Sequence, residues 1–96
     1  MTRPNPATEQ ARIRKWILLV LSESTGWTAG PYYGAIPEES FFGQAKVQGW
    51  TAKKMEKAIE RLVDEGAAVS TVVDLGSEQR YKGKRHPRFI PALRMP

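Results

Sequence analysis

Lys53, Lys57 and Arg61 recur at i, i+4 and i+8, and Lys54 flanks them, so a helix through this stretch carries a row of cations on its exposed side. A second group, Arg80, Lys82, Lys84, Arg85 and Arg88, is packed into residues 80–88. Spaced cations neutralise phosphates, and a helix that carries them fits the major groove of duplex DNA. The plain alternative for the first group is an amphipathic helix with a solvated charged face. For the second group that alternative is weaker, because five cations without one acid is an unusual way to decorate a short hairpin. Residues 1–78 hold nine Lys/Arg against ten Asp/Glu, a balance of −1, whereas residues 79–96 hold six cations and no acid. The net charge of +5 therefore belongs entirely to the last eighteen residues, and such a field attracts nucleic acid or an anionic membrane surface.

Other chemistry finds little to work with. There is no cysteine, which removes disulfides and thiolate metal sites, and there is a single histidine. His86 sits among cations, which disfavours its protonated form and suits a loop residue or phosphate contact better than a catalyst. No nucleophile–base arrangement presents itself, and Glu38-Glu39 is explained by a helix dipole. Gly83-Lys84 lacks the preceding glycine and following Ser/Thr of a phosphate-binding loop, and no metal-ligand spacing occurs. The chain is accordingly not expected to be an enzyme, to hold a cofactor or metal, or to bind a small-molecule ligand. Its longest apolar run, residues 16–21, is far too short for a membrane span, and its start lacks a signal-peptide core. The expectation is a cytoplasmic, nucleoid-associated protein with no membrane partner.

The elements that must position these cations can be read from periodicity. With 96 residues, 41% of them hydrophobic, the chain suits one small domain with a modest core. Residues 1–6, with two prolines, are expected to be a loose arm. Residues 7–24 predict a helix, because Ile13, Trp16, Ile17, Val20 and Leu21 fall at i, i+3, i+4, i+7 and i+8. Leu19 lies off that stripe and calls for cover by a terminal arm or a second copy of the chain. Residues 25–37 are broken by glycine and proline, with room for a very short strand at 34–36. Trp27, Tyr32 and Tyr33 there are open between packing, a dimer contact and base stacking. Pro37 then opens a second helix with Glu38 and Glu39 in its first turn and Phe41, Phe42 and Ala45 as its apolar side, ending near 47–48. Gly-Trp-Thr-Ala occurs at 26–29 and again at 49–52, a coincidence in our reading, since Gly30, Pro31 and Gly34 bar the first copy from helix.

A third helix follows, with Thr51 as its N-cap, Met55, Ala58, Ile59, Leu62 and Val63 as its buried stripe, and Gly66 at the exit where a positive φ is needed. From Gly66 the period becomes two: Val69, Thr71 and Val73 alternate with Ala68, Ser70 and Val72, as in a half-buried strand. Residues 74–77 signal a turn. The return strand is either 79–82, in a tight hairpin, or 88–90, in a longer one whose tip holds residues 82–86. The longer is favoured for the apolar content of Arg88-Phe89-Ile90.

This order, helix, short strand, helix, tight turn, helix, β-hairpin, resembles the winged helix-turn-helix domain of MarR-like and related prokaryotic regulators. The residues that carry the likeness are Gly49-Trp50-Thr51, as the turn into the third helix, and residues 62–69, Leu-Val-Asp-Glu-Gly-Ala-Ala-Val, as its exit. The resemblance implies an α+β fold over residues 7–93, three helices with a C-terminal β-hairpin wing, and a tail at 94–96. It also implies a docking in which Thr51, Ala52, Lys53, Lys54 and Lys57 face the groove, Arg61 continues the row, and the basic wing follows the backbone or enters the minor groove. The function implied is that of a small homodimeric transcriptional repressor on duplex DNA. The aromatic-rich link at 25–37 and the acids Glu56, Glu60 and Asp64 beside the lysine row depart from the pattern. Those acids repel phosphates unless they accept from cytosine or pair with lysine. They leave room for a winged-helix module that grips an acidic protein, and for an architectural or replication-linked DNA binder; RNA binding is a lesser possibility.

Overall fold

The computed structural model describes residues 6–23, 26–81 and 83–96. The fold class is α+β: three helices and a three-stranded antiparallel sheet, a layout compatible with a small winged-helix arrangement. Helix α1 spans Pro6–Glu23 and buries Ile13, Ile17 and Leu21, while Trp16 and Val20 pack at the core's margin. Each fully buried aliphatic side chain contributes about 1.5–3 kcal/mol, which is what fixes this helix on the domain. Leu19 is 55% exposed, as its place off the stripe requires.

Strand β1 is only Ile36–Pro37, and helix α2, Glu38–Gln48, begins directly after it. Pro37 therefore stands one place before the first helical turn, as the capping residue, with its ring in the buried layer. Phe41 and Ala45 are buried and Phe42 packs beside them. Gly49 ends α2 in the left-handed conformation, φ +80°, so that its own N–H reaches the Lys46 carbonyl at 3.2 Å and the Trp50 N–H reaches that of Ala45 at 2.9 Å. These two bonds satisfy carbonyls the helix would otherwise strand, and they turn Trp50 back onto the core, 5.6 Å from the Trp16 ring.

Thr51 is extended, and its Oγ1 accepts the Lys54 N–H at 3.2 Å, starting α3, Ala52–Asp64. Met55, Ala58, Ile59 and Leu62 are its buried stripe. Its exit repeats the device of α2. Gly66, at φ +74°, donates to Val63 while Ala67 donates to Leu62 at 2.9 Å, and the chain leaves directly into strand β2, Val69–Asp74.

The returning partner of β2 is the later candidate: β5, Phe89–Arg94, pairs with it from Val69↔Arg94 to Asp74↔Phe89, and β1 pairs on the far side of β5. The earlier candidate is not idle. Gln79–Tyr81 forms β3 and pairs with β4, Lys84–His86, as a separate two-stranded ribbon between β2 and β5. Sequence reasoning treated these pieces as alternatives and placed residues 82–86 in a loop tip; the backbone of 84–86, His86 included, is strand. The reason is Gly83, whose φ of +76° supplies a tight turn there, while Gly76 at φ +84° and Pro87 interrupt the ladder between ribbon and sheet. Among the described residues the ribbon pairs only with itself, and the molecule is elongated, 49 × 31 × 22 Å.

The sheet is packed on both faces. Ile36 and Leu93 join the helical core, and on the other side Ala35, Val73 and Ala92 make a second cluster with Tyr32, Leu75 and Ile90. The link before β1 closes on itself through hydrogen bonds from Gly34 to Trp27 and from Ala35 to Tyr32. It sets Trp27 against Tyr32 edge to face, 4.7 Å between centroids. Trp27 and Tyr32 are thus packing residues, and Tyr33 is 81% exposed. No described helix is long and apolar enough to cross a membrane.

Candidate nucleic-acid interface

The α2–α3 turn and the α3 cap together present the first two turns of α3 to solvent. Thr51, Ala52, Lys53, Lys54, Lys57 and Arg61 are all exposed. Their side chains are not equally available. Lys54 Nζ is 2.8 Å from Glu9 Oε1 on α1, and Gln10 Nε2 donates to the Lys54 carbonyl at 3.2 Å, so this lysine ties α3 to α1. Arg61 Nε is 2.8 Å from Glu65 Oε1, a pair one helical turn apart, and this hydrogen bond holds the Glu65 carboxyl below the ordinary carboxylate range. Lys53 and Lys57 make no ion pair with any described residue. They line an open groove of about 360 Å³ with Thr51, Lys54, Glu9 and Gln10. Thr51 Oγ1 acts as an acceptor in the cap, which leaves its hydroxyl hydrogen to donate outward.

Acids border this patch on the side of α3 that faces the sheet. Glu56 and Glu60 share a shallow surface with Lys53 and Lys57. Beyond them Glu38, Glu60 and Asp64 line a crevice with Ile59, Val63 and Ser70, where α3 meets β2. Partial burial raises the Glu38 carboxyl above its ordinary range, and the charge of Glu56 adds to the shift. The cations of α3 are therefore bordered by an acidic strip on the side toward β2.

On the hairpin, the backbones of Arg80 and Lys84 lie in β3 and β4, Arg85 is exposed, and Lys82 lies outside the described residues. Arg88 is engaged: its Nε and Nη2 donate to Asp74 Oδ1 and Oδ2 at 2.7 and 2.9 Å, and its guanidinium lies 5.0 Å from the centre of the Phe89 ring. This clamp joins the last residue of β2 to the start of β5 and sets the base from which the ribbon departs. Sequence reasoning counted Arg88 with the phosphate-binding cations and did not see its carboxylate. The available signal was the longer hairpin itself, which brings Asp74 opposite Phe89 and so beside Arg88.

The Arg88 hydrogen bonds lower the Asp74 carboxyl first, and the Gly76 N–H, donating to Oδ1 at 2.8 Å, lowers it further. A depressed carboxylate contributes while it is ionised in both states, and the contribution is lost as pH falls through the folded value. We expect an NMR titration of Asp74 to show a midpoint below the usual 3.8, with the Gly76 amide moving in step. Replacing Arg88 with Gln should move the midpoint up toward the usual value, with the Gly76 N–H still holding it below.

Among the described residues no group of three or more His, Asp or Glu side chains gathers to hold a metal ion. No known protein family matches the chain, and neither a curated protein nor a solved structure matches it.

Proposed function

We propose that this chain is a winged helix-turn-helix protein that binds duplex DNA, acting as a small prokaryotic transcription regulator. The observation that carries the reading is the pair Lys53 and Lys57, in no ion pair with a described residue and carried on the first turns of a capped, exposed helix that follows a three-residue turn. α3 enters the major groove, with Lys53 and Lys57 on phosphates, Thr51 donating at the rim and Ala52 against a thymine methyl. The ribbon, with Arg80, Lys82, Lys84 and Arg85, follows the backbone or enters the minor groove. Lys54 and Arg61 hold their positions through Glu9 and Glu65 and add to the field. Glu56 and Glu60, beside Lys53 and Lys57, face base edges, where a carboxylate accepts from the amino group of cytosine.

Fluorescence anisotropy with labelled duplexes over a range of salt tests this. The logarithm of affinity should fall with the logarithm of salt at about 0.9 per phosphate neutralised. A flat salt response overturns the reading. Competition with random duplex separates a regulator from an architectural binder, and folded RNA as competitor tests the RNA alternative.

The acids of α3 favour a second reading, a protein-interaction module whose ribbon grips an acidic partner. In that case the ribbon cations are needed and Lys53 and Lys57 are not.

A further inference from the structure

Strand β2 is at the edge of the sheet, whose order is β1-β5-β2. Among the described residues no strand pairs with its outer side. The direction of its backbone groups is set by one hydrogen bond. Leu75 N–H donates to the Arg88 carbonyl at 2.7 Å, so Leu75 turns its polar groups toward the returning chain. Alternation along an antiparallel ladder then turns Val69, Thr71 and Val73 inward and Ser70, Val72 and Asp74 outward. Pro91 agrees with this phase: it has no N–H to give, it stands opposite Val72, and a non-hydrogen-bonded pair there loses nothing. The N–H and C=O groups of Ser70, Val72 and Asp74 therefore form an open row.

Soluble proteins guard such rows with lysine, proline, bulges or a covering element. β2 reads Val-Ser-Thr-Val-Val-Asp, its register with β5 is unbroken, and its single charge, Asp74, is already clamped by Arg88. Val72, at the centre of the row, is 61% exposed.

We propose that this edge pairs with β2 of a second copy, antiparallel, about a two-fold axis at Val72. An axis normal to the sheet pairs residues that share a face, so Val72 meets Val72 of the second copy and Ser70 meets its Asp74. Each of these pairs exchanges two backbone hydrogen bonds. The Ser70 hydroxyl comes beside an Asp74 carboxylate. On the opposite face Thr71 meets Val73 of the second copy. An axis at Thr71 instead leaves Asp74 opposite Ala68, with no polar mate.

Charge identifies the occupant as a copy of this chain. Antiparallel pairing carries each ribbon past the start of its neighbour's β2. There Ser70 adjoins the crevice of Glu38, Glu60 and Asp64. The ribbon that arrives there carries the exposed Arg85 and belongs to a segment, residues 79–96, with six Lys/Arg and no acid. A ladder this short buries less than the roughly 800 Å² per partner of a standard interface, so the dimer forms in a concentration-dependent way. It requires no DNA, and a dimer that binds none would satisfy it equally.

Sedimentation equilibrium of the full chain should show the mass rising from 10.8 kDa toward its double as concentration increases. Across the same range, hydrogen exchange should slow at the amides of Ser70, Val72 and Asp74, while Thr71 and Val73, bonded to β5, are slow throughout. Val72→Lys, at an exposed position, should keep the circular dichroism spectrum and lose the dimer. A mass fixed at the monomer value up to millimolar concentration overturns the proposal. So does a folded Val72→Lys that still dimerises, or a dimer whose three outward amides exchange as fast as in the monomer.

Discussion

Replacing Lys53 and Lys57 together with alanine should weaken duplex binding about 100-fold, taking ~1.5 kcal/mol for each charge-assisted hydrogen bond to phosphate. Both side chains are exposed and neither is in an ion pair with a described residue, so their removal takes nothing from the folded chain that a melting curve would register. Alanine is also the better helix former, which keeps α3 intact. The salt slope should fall by about two, roughly one per lysine, with the loss spread evenly over duplex sequences because phosphates carry no sequence information. Lys54→Ala behaves differently. It breaks the pair with Glu9, and because that pair fastens α3 to α1, part of its effect should appear as lost stability as well as lost affinity. Anisotropy with the three variants, beside their unfolding curves, distinguishes a phosphate contact from a strut. Unchanged affinity in the double variant, with an intact salt response from the ribbon, would transfer the function to the acidic-partner reading.

The contrast between Lys53 and Lys54 also shows where sequence stopped being legible. Helical stripes were readable because burial follows a local period: Ile13, Ile17 and Leu21, and Met55, Ala58, Ile59 and Leu62, are buried where the spacing placed them. The turns were readable because Gly49 and Gly66 hold φ values that other residues avoid. Which cations remain free was not readable. Glu9–Lys54 and Asp74–Arg88 join residues 45 and 14 positions apart, and no local pattern connects them. The hairpin was half legible. Its apolar return strand stood out, but the polar β3 and β4 have no buried face to impose alternation, so their pairing depends on the glycine turn between them. The two covered faces of the sheet were not foreseen either, since a segment rich in glycine and proline reads as a connector even when its Trp27 and Tyr32 close a second small core.

Phe41→Ala should cost about 3–5 kcal/mol, the usual range for emptying a fully buried phenylalanine site. The ring is wholly inaccessible, and the edge of Trp16 meets it at 6.0 Å with the planes at 87°. Trp16 in turn touches Trp50, which the Gly49 turn has folded inward, so one aromatic chain joins α2, α1 and the entrance to α3. A domain of this size shifts its midpoint by about 4–8 °C per kcal/mol, so thermal unfolding followed by circular dichroism should fall by more than about 12 °C. Total stability in small domains is about 5–15 kcal/mol, and the variant stands near the limit of folding. Phe41→Leu, which keeps most of the volume, should lose far less. The consequence for binding follows from geometry. The lysines of α3 point where the α2–α3 turn directs them, and that turn is held by Trp50 against Trp16, which Phe41 backs. A cavity at Phe41 lets the turn relax, so duplex affinity in the folded fraction should fall even though no phosphate contact has been removed. If Phe41→Ala melts within about 4 °C of the parent, a shift worth no more than ~1 kcal/mol, the aromatic chain is not what holds α3 in place.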